Sequence, residues 1–407
     1  MKKNGFFYGW IVCIVCMAVA FCTMGFLNTS ISAFLPYMRE YAGISNTQCS
    51  MLTMVRNITS VIVMSQVDVF LKKMGLRKGL LTGIGFTLAA LVTLALSRSF
   101  PLYCLGMVFA GFGYALSGLV SISIVMARWF VSHRTFAVSL CSMGTGIASV
   151  VLPPAITTIS NRYSLPVVFA AAAVFTVIVI AAVLLLMPEG PEKKGLTALD
   201  NGDPAEKAKK HSEITADKHV LIFICIGLGV LGIATYGAVP NMALLFKTEG
   251  ITEQHTAVLL SLYGVLMTTG KLAYGAAADH FGAFRSTILF FIFNFTGVFL
   301  MSACGTTFGP VAATAGCILY GLGNALATIA HPVLASAISR DEDYPKMVKR
   351  LQLSYTIGSV LIGPVPGMIA DVMGSYSPAY VLFGCQVVLA VIMVSLGMRQ
   401  YRKMPVL

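Results

Sequence analysis

Charge is what this sequence has least of. Only 11% of its 407 residues are Asp, Glu, Lys or Arg, while 57% are hydrophobic. A soluble domain usually carries about 25% charged residues, so the two or three soluble domains that the length alone suggests are excluded. Acidic residues are the scarcer sign, 16 against 28 Lys+Arg, leaving a formal net charge of +12. The basic residues lie between apolar runs and not along one soluble face, which excludes a nucleic-acid footprint. The ten cysteines sit nearly all inside apolar segments, from Cys13 to Cys385, and read as small buried hydrophobes. Cys13 and Cys16 form a C-x-x-C, but inside an apolar run with no His or acidic neighbour that pair is a poor metal or redox set. There is no metal cluster, nucleophile triad or pair of carboxylates at acid/base spacing, so neither an enzyme nor a cofactor is expected.

What is present is a series of long apolar stretches separated by short charged clusters, the pattern of a polytopic membrane protein. Twelve runs of spanning length can be counted between residues 9 and 399. About 20 residues at a rise of about 1.5 Å cross the hydrocarbon, so each run predicts one helix. The first run follows Met1-Lys2-Lys3-Asn4-Gly5 without a small-residue cleavage site and reads as an uncleaved span. Counting Lys and Arg in alternate loops gives 22 on the side of the termini and four on the other. That bias places both termini in the cytoplasm. The remaining two, Arg56 and Lys271, lie within spans.

One long hydrophilic segment, 188–218, separates spans six and seven. Its charges, among them Glu192, Lys193, Lys194, Asp203 and Glu206, predict a flexible or weakly helical cytoplasmic linker between a bundle at 1–187 and another at 219–407. The two halves repeat each other. Phe-Ala-Gly-Phe-Gly-Tyr-Ala-Leu at 109–116 aligns with Leu-Tyr-Gly-Leu-Gly-Asn-Ala-Leu at 319–326, an offset of 210 that superposes span four on span ten. Gly43-Ile44-Ser45 matches Gly250-Ile251-Thr252, with Ser or Thr as a helix cap, and Gly75 matches Gly282, both at an offset of 207. Tyr163-Ser164 matches Tyr376-Ser377 at 213. Four matches in register predict an all-α integral membrane protein of twelve helices in two six-helix bundles related by a parallel repeat. The Gly-rich runs at 111–113 and 321–323 follow no strand and carry no Lys-Ser/Thr, so they read as close helix packing and not as phosphate loops.

With this architecture the sequence resembles the major facilitator superfamily of secondary transporters. Gly275-Ala-Ala-Ala-Asp279-His-Phe-Gly282-Ala-Phe-Arg285 is similar to that superfamily's G-x-x-x-D-x-x-G-x-x-R loop, and its first-half counterpart keeps Gly75, Arg77 and Lys78 but has Lys72 where an Asp is usual. Phe7-Tyr8-Gly9-Trp10, Arg128-Trp129-Phe130 with Arg134 and Ala137, and Gly363-Pro364 through Asp371 and Gly374-Ser375-Tyr376 are similar to the monocarboxylate and oxalate/formate transporter branch. The resemblance covers nearly the whole chain apart from the linker. It implies an alternating-access carrier whose halves rock about a midplane site, with Arg77, Asp279 and Arg285 in a cytoplasmic gate.

The candidate site follows from the sign of the intramembrane charge. A charge at a helix centre costs roughly 2.5–3.5 kcal/mol on insertion scales, so it is a functional candidate by default. Lys271 lies well inside span eight and Arg56 inside span two, whereas Asp68, Asp279 and Asp371 fall near span ends. A cavity with cations and no internal carboxylate suits an anionic substrate. Lys271-Leu-Ala-Tyr-Gly275 resembles the branch's R-P-x-x-G pattern, whose Arg is thought to hold the substrate carboxylate. Here the fork becomes a point charge, and Met267 stands where animal monocarboxylate carriers have an Asp, so their proton coupling is not carried over at that position. Span eleven also lacks an obvious central Lys of the kind the oxalate/formate exchanger uses.

Arg56, about six residues into its span, either snorkels outward to headgroups or lines the outer vestibule as a substrate contact. His331 before Pro332 is either a packed helix-bridging side chain or a proton-coupling group. The first, fourth, seventh and tenth helices line the cavity in the superfamily, which makes Asn28, Tyr114, Tyr236 and Asn324, with Tyr355 of span eleven, the remaining substrate-binding candidates. Their alternative is hydrogen bonding between helices. The expected activity is transport of a small organic anion, a mono- or dicarboxylate, by proton symport or anion exchange. The carrier is expected to work as a monomer among membrane lipids, in a cell (inner) membrane; the short loops and compact length favour a prokaryotic one. The rivals are a multidrug or neutral-solute exporter and a membrane ligand sensor that does not transport.

Overall fold

The computed structural model of the chain describes residues 7–44, 46–199, 216–305, 309–362 and 365–402. Lipid offers no hydrogen bonds, so each spanning segment must satisfy its own backbone, and helices do so. Polar side chains follow the same rule: the hydroxyls of Thr23, Ser60, Thr176 and Thr268 each donate to the carbonyl four residues back. Among the described residues the regular structure is helical apart from one isolated bridge between Phe130 and Leu199. The chain divides into two compact units, Met1–Lys209 and Lys210–Leu407.

In the first unit, span one is α-helical over Gly9–Ala20, π-helical over Phe21–Thr29, and resumes as Ile31–Ala42 after a break at Ser30. Span two is the helix Asn46–Met64 followed by Val67–Met74, with a bend of 60° between them. Span three is Leu76–Leu96, and span four is Phe100–Ser117 and Leu119–Trp129, interrupted at Gly118. Arg134–Arg162 and Leu165–Leu186 complete the unit.

The second unit begins with Lys218–Thr248, Glu253–Phe281 and Ala283–Ser302. It continues with the broken tenth span, Gly309–Gly323 and Leu326–Ile338. Tyr344–Leu361 with Val365–Met373 forms the eleventh span and Ser377–Arg402 the twelfth. Among the described residues ten helices are each long and apolar enough to cross a membrane, and the bent pair of span two makes eleven. The remaining helix, Glu253–Phe281, carries Lys271, Asp279 and His280, which dilute its apolar character.

The repeat read from the sequence holds in the backbone. Gly75 has φ 83°, ψ 155° and Gly282 has φ 87°, ψ 153°, a conformation essentially restricted to glycine, at the same turn between the second and third spans of each half. It also holds in packing. A Cβ at Gly111 would lie 2.8 Å from the Arg56 carbonyl oxygen, and one at Gly321 would lie 3.0 Å from that of Tyr263. The Gly-rich runs are therefore crossing points, as expected. Of the two expected helix caps, Thr252 accepts from the His255 N–H at 3.4 Å, while Ser45 lies outside the described residues.

The opening stretch of the linker, Pro188 to Leu199, is weakly helical, with one 3-10 turn at Pro191–Lys194, and it lies on the first unit. Leu199 donates its N–H to the Trp129 carbonyl at 2.9 Å and accepts from Val131 and Ser132 at 3.0 Å each. Lys194 Nζ sits 4.6 Å from the centre of the Tyr8 ring. The backbone makes these bonds, so side-chain composition gave no sign of them. Residues 200–215, including Asp203 and Glu206, lie outside the described residues. Lys218 belongs to span seven, whose start is capped by Asp217 accepting from the Val220 N–H at 2.9 Å.

Candidate functional site

Spans one, four and ten are interrupted partway along, at Ser30, Gly118 and Asn324-Ala325. A helix interrupted at membrane depth frees backbone carbonyls and is the usual place for a transporter to bind its cargo. Two of the breaks lie beside candidate residues, Asn28 in span one and Asn324 itself in span ten.

Arg56 does not snorkel. It is 4% exposed and turned into its own bundle. One guanidinium nitrogen donates to the Leu27 carbonyl and to Asn28 Oδ1, both at 2.6 Å, and the other donates to Asn57 Oδ1 at 2.6 Å. The Tyr114 ring lies 6.0 Å from the guanidinium carbon, at the limit of a cation–π contact. Asn28, Arg56 and Tyr114, from spans one, two and four, thus form one cluster.

In the second unit, Asn324 Nδ2 donates to the Tyr263 hydroxyl at 2.6 Å and approaches Met267 Sδ at 3.7 Å. Tyr263 stacks on Tyr320 with ring centres 5.7 Å apart. Among the described residues, Asn324 Oδ1 and the Tyr320 hydroxyl are buried without a hydrogen-bond partner. A second group joins Tyr236, Tyr355 and His331: the Tyr355 ring is 5.8 Å from Tyr236 and 4.9 Å from His331, which meets it edge-on. His331 is wholly buried, and although the Thr328 backbone lies close to the ring, neither ring nitrogen makes a well-formed hydrogen bond among the described residues. Lys271 is 1% exposed, on the same helix four residues beyond Met267 and eight beyond Tyr263. The sequence reading named Met267 only as a missing Asp and passed over Tyr263, Tyr320 and Asn57. The repeat offset of 207 makes Tyr263 the equivalent of Arg56.

The charged side chains buried among the described residues are Arg56, Arg134 and Lys271, all cations. The Asp371 side chain lies outside the described residues. Also among the described residues, no group of His, Cys, Asp and Glu is arranged to hold a metal ion. Two signatures far apart in sequence meet at the end of the first bundle that carries the chain's basic loops: Phe7 packs 6.2 Å from Trp129, and Trp10 4.8 Å from Phe130.

The profile of the Major Facilitator Superfamily matches residues 17–342 and 224–405. The chain belongs to that superfamily. Its members are transporters, and this one is a multi-pass membrane protein with the superfamily's twelve-helix fold. Among curated relatives, monocarboxylate transporter 12 of Rattus norvegicus is 21% identical over 93% of this chain and 82% of its own length. Monocarboxylate transporter 13 of Bos taurus is 24% identical over 75% of this chain and 68% of its own. Of solved structures, the proton:xylose symporter XylE superposes with a TM-score of 0.74 at 15% identity, covering 98% of this chain and 97% of its own. The transporter FucP in its outward conformation gives 0.71 at 13%, covering 95% and 98%. At these identities the structural likeness shows the fold alone.

The residues matching the superfamily's gate loop sit at helix junctions. Arg77, half-buried, donates to the Leu184 carbonyl at the end of span six. Asp279 is half-buried three residues before Gly282, and Arg285 is exposed in the first turn of the next helix. The Glu189 carboxylate packs against the α-carbon of Gly75. It thereby stands at the start of Leu76–Leu96, whose first turn carries Arg77 and Lys78 and whose cap residue has no side chain to offer. Arg128 donates to the Glu189 carbonyl at 3.2 Å.

Proposed function

We propose that the protein is a secondary active transporter of a small organic anion, a mono- or dicarboxylate. It works by alternating access, driven by proton symport or by exchange for a second anion. The observation that carries this reading is the sign of the buried charge: among the described residues it is cationic throughout. Burying a cation inside a bundle is costly, and an anionic cargo offsets that cost when it binds. The names of the curated relatives, monocarboxylate transporters 12 and 13, support the same class. In this reading Lys271 pairs with the substrate carboxylate, Arg56 supports it electrostatically, and Asn28, Tyr114, Tyr236, Asn324 and Tyr355 shape the pocket. His331 is the titratable group available for proton coupling, and Arg77, Asp279 and Arg285 belong to the cytoplasmic gate. The protein acts as a monomer in a cell (inner) membrane, with both termini cytoplasmic and its bundles, 1–187 and 219–407, joined by the 188–218 segment.

The test is uptake into proteoliposomes of labelled lactate, formate, oxalate and acetate beside the neutral sugars xylose and fucose, with and without a pH gradient and internal anion. Saturable uptake of at least one carboxylate, and of neither sugar, is expected. The gradient it requires separates symport from exchange. Uptake of the sugars alone, or of nothing by folded protein, overturns the anion reading in favour of a neutral-solute carrier or an exporter.

A further inference from the structure

The π-helical stretch Phe21–Thr29 contains no proline, yet span one departs from the α-helix there and breaks at Ser30. A wider turn followed by a break leaves carbonyls near the break without their usual intrahelical donors, and π segments recur at functional positions. The Leu27 carbonyl is supplied by Arg56, and the same guanidinium nitrogen also takes Asn28 Oδ1. The planar fork therefore fixes two consecutive residues of the first span at once, with its other arm on Asn57.

This geometry decides which atoms of Asn28 remain free to donate. Arg56 is 4% exposed, whereas Asn28 is only half-buried. With Oδ1 held by the guanidinium, the Asn28 amide cannot turn over without losing a charge-assisted bond, so its NH2 is presented on the opposite side. Donation from a cation into the amide oxygen also polarises the amide and strengthens its N–H donors. We propose that Arg56 is a positioning residue and that Asn28, oriented and polarised by it, is the first bundle's direct hydrogen-bond donor to the substrate carboxylate. The guanidinium acts from behind the amide and does not touch the cargo. This inference deepens the anion reading above and rests on it for the identity of the ligand.

Two measurements on the full chain test it. The first is uptake of labelled lactate and oxalate into proteoliposomes by Asn28→Ala, Arg56→Lys and the double variant. Each single change is expected to raise KM about tenfold with kcat within about twofold, the loss of one hydrogen bond to a charged group. The double variant is expected to be no worse than either single one, because both remove the same donor. KM effects that multiply in the double variant would show that Arg56 contacts the substrate itself and overturn the proposal.

The second needs no substrate. Amide hydrogen exchange without carboxylate is expected to quicken in 21–30 by about tenfold in Arg56→Lys, leaving 9–19 unchanged. In Asn28→Ala the acceleration is smaller, because the bond to the Leu27 carbonyl remains. Exchange and KM both at wild-type values in Arg56→Lys would remove the positioning role. If wild-type protein takes up no carboxylate at all, the anion reading and the role of Asn28 as donor fall together, while the exchange result still decides whether Arg56 holds the first span.

Discussion

Arg56 and Tyr263 stand 207 residues apart at equivalent positions of the two halves. Each has its carbonyl pressed against a glycine of the neighbouring span, Gly111 or Gly321. Each also reaches a side chain at the other repeat-matched position: Arg56 approaches the Tyr114 ring, and Tyr263 bonds Asn324. Beyond that the halves part. In the first, the cation takes two carbonyl-type oxygens of its own span one, from Leu27 and Asn28. In the second, the charge has moved two turns along, to Lys271, whose first-half equivalent is the buried Met64. Among the described residues both halves leave buried polar atoms without hydrogen-bond partners, the Tyr103 and Ser123 hydroxyls in the first and Asn324 Oδ1, the Tyr320 hydroxyl and Gln352 Oε1 in the second. The duplication has kept the crossings and let the chemistry diverge.

Four substitutions sharpen or break that comparison. Gly111→Ala and Gly321→Ala each push a Cβ to within about 3 Å of a backbone carbonyl, and overpacking of this kind costs about 1–3 kcal/mol. Thermal unfolding in detergent should show losses of similar size in both, and a large loss in one alone would mean that the crossings are not equivalent. Tyr263→Phe removes the hydroxyl that accepts from Asn324, at a cost of about 1–2 kcal/mol to stability. An unchanged melting temperature would show that the amide finds another partner. The smallest effect is expected from Glu189→Gln. Removing the carboxylate from the start of Leu76–Leu96 costs about 0.3–1 kcal/mol, screened by salt. At Gly282, the equivalent turn, no atom of the described residues beyond its chain neighbours lies within 4 Å of where a Cβ would stand. A Glu189→Gln loss that salt does not diminish would mean that the contact is steric and not electrostatic.

The parts of this fold that were legible in the sequence are those that only one residue type can fill. Gly75 and Gly282 adopt a backbone conformation that any Cβ forbids, and Gly111 and Gly321 leave no room for one, so their repetition exposed the duplication directly. Most of the apolar runs were legible as well, because lipid demands length and apolarity of a span; the one carrying Lys271 keeps the length but not the full apolarity. The π-helical segment was not, since Phe21 to Thr29 contains nothing that distinguishes it from an ordinary apolar helix. The inward turn of Arg56 was hidden for a related reason. Six residues into the apolar run, the side chain reaches either headgroups or a neighbouring helix, and the choice is made by Leu27 and Asn28, 29 and 28 residues away. The bound strap at 188–199 escaped notice because its bonds to 129–132 are made by backbone.

The central claim is that a buried cation in the second half holds an anionic cargo. It is tested most directly by comparing uptake of labelled oxalate and lactate by wild type, Lys271→Arg and Lys271→Gln in proteoliposomes, with equal insertion verified. Removing one partner of a buried ion pair costs about 3–5 kcal/mol, so Lys271→Gln is predicted to lose at least about a hundredfold in kcat/KM while Lys271→Arg keeps measurable transport. Uptake by Lys271→Gln at the wild-type rate would contradict the account.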